Sequence, residues 1–87
     1  MRDLLWHDRA WDEYVALLEN KRLIKKINTL IKDIRRNGGN GIGQSEFLKG
    51  DLTGFASVHI DKKNRLIFAV DDETVTILAC GEHYSDK

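Results

Sequence analysis

Glu46, Arg65 and His83 are, by type, the three groups that metal-free cleavage of an RNA phosphodiester calls for. The reaction must take a proton from the ribose 2′-hydroxyl, hold a crowded anionic phosphorane and return a proton to the departing 5′-oxygen. A glutamate side chain is ionised at neutral pH and can accept the first proton, while a histidine is partly protonated there and can give the second. Arginine suits the middle task, because its planar fork matches two phosphate oxygens and it stays charged at any working pH. Lys49 follows Glu46 closely enough to offer an ammonium to the same pocket, and Tyr84 comes directly after His83. Each residue also has a plainer reading. Glu46 alone is a surface carboxylate, Arg65 a solvated strand residue or half of a weak ion pair, His83 a mobile polar group near a terminus, and Tyr84 a cover for the core rim. Cys80 reads as a small buried apolar residue, since nothing obvious lowers its pKa. His7 falls at the start of a helix, and His59 is open to either reading.

Those residues need elements to carry them. Leu4, Leu5 and Trp6 predict a short first strand, and Trp11, Tyr14, Val15 and Leu18 recur at the spacing of one helical face. Asn20 is a suitable cap for a second helix, in which Leu23, Ile24, Ile27, Leu30, Ile31 and Ile34 repeat at helical intervals with basic residues between them. Asn37, Gly38, Gly39, Asn40, Gly41 and Gly43 end it and make a flexible connector toward Glu46. The period then changes. Gly54 to Ile60, Asn64 to Val70 and Thr74 to Gly81 are rich in β-branched and aromatic residues, and Asp61-Lys62-Lys63 and Asp71-Asp72-Glu73 separate them as tight polar turns. The expected fold is α+β, with two N-terminal helices packed on a twisted antiparallel sheet in one domain over residues 1–87. In the middle strand Leu66, Phe68 and Val70 share a face suited to the helices, which leaves Arg65 on the open face. The last strand sets a puzzle, because unbroken alternation puts His83 in the row of Val75, Ile77, Ala79 and Gly81, which reads as core. Either a bulge near Gly81 turns the chain or the helices pack on the other face; a strand-end glycine favours the bulge.

Composition narrows the setting. With 87 residues, 41% of them hydrophobic, the chain is long enough for one compact core. A single cysteine and no metal-ligand spacing leave neither a disulfide nor a metal to brace it, and a reducing cytosol is the expected compartment. No leader or membrane-spanning run is visible, so a soluble, cytoplasmic protein is expected. The 14 basic and 14 acidic residues cancel, yet half of the basic ones, Lys21, Arg22, Lys25, Lys26, Lys32, Arg35 and Arg36, crowd one segment whose single acid is Asp33. The chain is neutral and strongly polarised.

A resemblance adds to this. The run Lys21-Arg22-Leu23-Ile24-Lys25-Lys26-Ile27-Asn28 with Leu30-Ile31-Lys32-Asp33 and Arg35-Arg36, then Gly41, Gly43, Glu46, Leu48-Lys49, Leu52, Gly54-Phe55, Arg65-Leu66, Ala69-Val70, Ala79-Cys80 and His83-Tyr84, resembles the YoeB/Txe toxins of the RelE superfamily over nearly the whole chain. The resemblance implies a RelE-like, microbial-ribonuclease-like fold whose helices cover one sheet face while the other holds the RNA site. It implies Glu46 as general base, His83 as general acid and Arg65 as phosphate-stabilising cation, with Lys49 and Tyr84 as supporting contacts and no metal or other cofactor; His59, which departs from the family pattern, is expected as a further substrate contact. It further implies a toxin that enters the ribosomal A site and cuts the codon there, thereby inhibiting translation. A YefM-type antitoxin would hold it inactive and carry it to operator DNA, and a homodimer is possible. Some positions depart from the family pattern: Ala56 replaces an aromatic residue, Val58-His59 an arginine pair, and Ser45 and Phe47 the prolines usual beside Glu46. Those departures sustain an alternative, a catalytically weakened module that binds the ribosome or antitoxin and acts as translation inhibitor or co-repressor.

Overall fold

A computed structural model describes residues 1–38 and 45–81. The chain runs β1 (Asp3–Trp6), α1 (Asp8–Ala16), α2 (Lys21–Asn37), β2 (Ser45–Phe47), a short 3-10 turn (Gly50–Leu52), β3 (Ala56–His59), β4 (Arg65–Val70) and β5 (Thr74–Ala79). The expected α+β layering is present, with two helices on one face of a five-stranded sheet of order β1-β5-β4-β3-β2. The sheet is mixed: β2 to β5 are antiparallel neighbours, while β1 lies parallel to β5, pairing Asp3 with Thr74 and Trp6 with Ile77. Parallel pairing follows from connectivity, because the whole of the chain between β1 and β5 serves as the crossover.

Local chemistry fixes the helices where the sequence places them. His7 is the N-cap residue of α1, in extended conformation. The Asn20 side chain accepts from the Leu23 amide at 3.2 Å and caps α2, and Gly38 closes it at φ +71°, where a side chain would be strained. Ile27, Leu30, Ile31 and Ile34 turn one face of α2 onto Val58, Leu66, Phe68, Val75 and Ile77, each apolar side chain so buried contributing about 1.5–3 kcal/mol. Helix α1 buries a stripe turned by about one residue from the one its spacing suggests, with Tyr14 common to both. Ala10 is buried and Tyr14 and Leu17 pack on the core, while Trp11, Val15 and Leu18 are 49%, 44% and 51% exposed. The two stripes differ by one residue, and the sheet takes the inner one. No helix among the described residues is long and apolar enough to cross a membrane.

Candidate active site

The sheet's two faces decide which side chains can meet. Ala56, Val58, Ile60, Leu66 and Phe68 belong to the helix-facing core, so alternation turns Ser57, His59, Arg65 and Ile67 to the open face. Register then aligns the strands. Glu46 pairs with Ser57, Ser57 with Ile67, and Ile67 with Ala79, making one row across the open face; His59 pairs with Arg65 one step further along. Glu46 and Arg65 thus flank β3 on a diagonal two strands wide and two residues long. With strands roughly 4.8 Å apart and a rise of about 3.3 Å per residue, their Cα atoms stand about 12 Å apart, a span that leaves room for a phosphate between two long side chains. Glu46 and His59 are exposed and Arg65 is half-buried, while Ser57, Ile67 and Ala79 beneath them are buried.

Glu46 owes its place to β2, a strand of three residues where the sequence reads only a connector. Lys49 follows on an exposed loop as the N-cap residue of the 3-10 turn, and Gly50 takes φ +69° there. The Leu48 amide donates to the Phe55 carbonyl at 3.0 Å, closing this loop against the start of β3. The fold therefore brings Glu46, His59 and Arg65 to one face, with Lys49 on the loop that leaves it; His83 and Tyr84 lie outside the described residues.

A bulge does interrupt the last strand, and the helices do pack on the Leu66–Phe68 face. Phe68 pairs with Ile77 but Ile67 with Ala79, so Leu78 is the extra residue. It stands three residues before Gly81, the expected position. Val75 and Ile77 face the core, Ala79 moves to the open-face row, and Cys80 returns to the core. Burial, with Glu13's charge adding to it, pushes the Cys80 thiol up to about 12, the reverse of what a nucleophile needs.

Ser57 borders the candidate site, and the sequence alone does not single it out. It faces Glu46 directly and is 3% exposed, the buried polar side chain of the open face. Alternation between the core residues Ala56 and Val58 puts Ser57 on the other side. Two clefts, of about 440 and 430 Å³, run along α2. Neither is lined by Glu46, Lys49 or Arg65, so they belong to the basic helix and not to the chemistry. Among the described residues no three His, Cys, Asp or Glu side chains converge as a metal site.

Residues 6–84 match the family described as YoeB-like toxin of bacterial type II toxin-antitoxin system. The chain belongs to the YoeB-like toxin family. It is 46% identical to Toxin YoeB of Escherichia coli (strain K12) over 82 residues, covering 93% of this chain and 98% of that one. It is similar to the YoeB dimer from Staphylococcus aureus, with 40% identity, a TM-score of 0.86 and coverage of 95% and 98%. The YoeB-YefM complex from the same organism matches at 40% identity and TM-score 0.86, covering 97% and 99%. Within this YoeB-like chain Ala56, Val58 and His59 separate by face. Ala56 and Val58 lie in the helix-facing core, and His59 alone of the three stands beside Arg65 on the open face.

Proposed function

We propose that this toxin is a ribosome-dependent endoribonuclease that cuts messenger RNA in the ribosomal A site by general acid–base transesterification. The observation that carries the reading is the placement of Glu46 and Arg65 on β2 and β4, either side of β3 on the sheet face free of helices. In this scheme Glu46 takes the 2′-hydroxyl proton, Arg65 holds the phosphorane through its two-pronged fork, and His83 protonates the leaving 5′-oxygen. Lys49, His59 and Tyr84 contact the substrate. Exposure of Glu46 and His59 suits a site completed by the ribosome, because RNA brought against the sheet would shield these side chains from solvent.

Its partners follow from the same reading. A YefM-type antitoxin binds it, as the likeness to a YoeB-YefM complex supports, and a second copy can form a homodimer, as the likeness to a YoeB dimer supports; in this scheme the antitoxin silences the toxin and takes it to operator DNA. Work on the ribosome puts it in the cytoplasm.

Primer extension on a defined messenger bound to purified ribosomes tests the proposal. The native protein should give a stop inside the A-site codon, and Glu46→Gln, Arg65→Ala and His83→Ala should each weaken it by about two to three orders of magnitude. Translation blocked without any stop would sink the nuclease reading and leave the binding module in its place.

A further inference from the structure

The end of β5 is held from the helix layer by a side chain that has no part in the proposed acid–base step. Glu13 lies on α1 with its side chain 25% exposed, and its Oε2 accepts from Arg9 Nε at 3.1 Å. Its Oε1 accepts from the Cys80 amide at 2.7 Å. The Cys80 thiol reaches the Ala10 carbonyl at 3.5 Å, so successive turns of one helix grip a single residue. Gly81 comes next beneath the same carboxylate: a Cβ there would lie 3.4 Å from the Glu13 carboxyl carbon. The Gly81 carbonyl in turn accepts from the Arg65 amide at 3.0 Å.

The last amide of a strand is ordinarily satisfied by a neighbouring strand or by water. Here an ionised carboxylate takes it, and such a bond is roughly twice as strong as a neutral one. Helix α1 lies on the opposite side of the sheet from Glu46 and Arg65, so Glu13 cannot touch RNA bound between them. What it can reach is the course of the chain: His83 follows Cys80 by three residues, and the same stretch is bonded to the Arg65 backbone.

We propose that Glu13 is a positioning residue, which through the Cys80 amide sets the direction in which the chain leaves β5 toward His83 and Tyr84. The functional half of this rests on the ribonuclease reading above. A reacting group displaced by about 1 Å can lose up to about 100-fold in rate.

Glu13→Ala removes the acceptor, and Glu13→Gln keeps one of similar shape. Two measurements on the full chain separate anchor from catalysis: amide hydrogen exchange at Cys80, and single-turnover cleavage of messenger on saturating ribosomes. In Glu13→Ala the Cys80 amide should exchange at least about tenfold faster, with the Phe68 and Val75 amides unchanged, as a freed strand end opens locally. Cleavage at saturation should fall about tenfold or more, with the half-saturating ribosome concentration unmoved, and Glu13→Gln should recover most of both losses. Unchanged Cys80 exchange in Glu13→Ala overturns the anchor. Faster exchange with native cleavage, or a glutamine variant no better than alanine, overturns the positioning role. A native chain that leaves the messenger intact sinks the ribonuclease reading and the positioning role with it, while the exchange result still decides the anchor alone.

Discussion

Cys80 is fully buried between α1 and the sheet, and its thiol is pushed from 9.0 up to about 12 by burial first and the Glu13 charge second. A raised folded-state value means that the neutral thiol favours the folded chain. That contribution is whole below pH 9 and is lost as the pH climbs toward 12, at no more than about 1.4 kcal/mol per unit. Denaturant unfolding of the native chain and Cys80→Ala, compared between pH 7 and 11, isolates it. The native curve should fall faster than the variant's above pH 9; parallel curves would refute the assignment. At this scale legibility depends on sequence distance. Asn20 as a cap and Gly38 as a stop are readable because both partners sit within one turn. The Glu13 bond to Cys80 joins residues 67 apart and leaves no local trace. Arg35 misleads in the other direction. It counts with the basic run, yet its Nε donates to the Arg2 carbonyl at 2.8 Å and Arg2 Nη1 returns a bond to the Arg35 carbonyl at 3.1 Å, a tie between the end of α2 and the start of the chain.

Among the elements, the two hairpin turns share one device. Asp61 accepts from the backbone amides of Lys63 and Asn64, and Asp71 from those of Glu73 and Thr74, all at 2.8 Å. These bonds hold both carboxyls below the ordinary aspartate value of 3.8, Asn64's amide leading for Asp61 and Glu73's for Asp71. A lowered value favours the folded chain above pH 3.8, and the advantage drains away as the pH falls through the folded-state value. Asparagine at both positions keeps an acceptor without the charge, so the double variant Asp61→Asn/Asp71→Asn should lose stability less steeply than the native chain below pH 3.8. Acid unfolding followed by circular dichroism measures this, and equal steepness would count against it. Both turns are visible in the sequence because aspartate at a turn's first position has a mechanism. Strand β2 is not: three residues between glycines and a loop carry no period, and only pairing with β3 makes them a strand. The Leu78 bulge likewise belongs to the register between β4 and β5, so the sequence shows the parity conflict it resolves but not its position. Along α1 and the turn after it, the expected stripe of Trp11, Tyr14, Val15 and Leu18 and the buried one of Ala10, Tyr14 and Leu17 are equally periodic, and packing alone chooses between them.

Over the whole molecule a neutral chain keeps its charge apart. Lys21, Arg22, Lys25, Lys26, Lys32 and Arg36 are exposed along α2, while Glu46 and Arg65 stand on the sheet's other side. If RNA sits against the open face, α2 is free to meet a second stretch of ribosomal RNA, and its cations should then release counterions on docking. Each phosphate contact contributes roughly 0.7 to 0.9 to the slope of log affinity against log salt. Replacing Lys21, Lys25 and Lys26 with alanine, the best helix former, removes three charges while preserving α2. Ribosome affinity of this variant should weaken at low salt, converge on the native value at high salt, and show a slope shallower by about 2 if all three lysines touch phosphate. Sedimentation with ribosomes from 50 to 300 mM salt, on the order of the range where screening lengths shrink from well above to below 10 Å, reads the slope directly. An unchanged slope would mean that α2 faces away from RNA. Loss of antitoxin binding in the same variant, with ribosome binding intact, would instead give the basic helix to the antitoxin and leave the open face of the sheet to dock on the ribosome by itself.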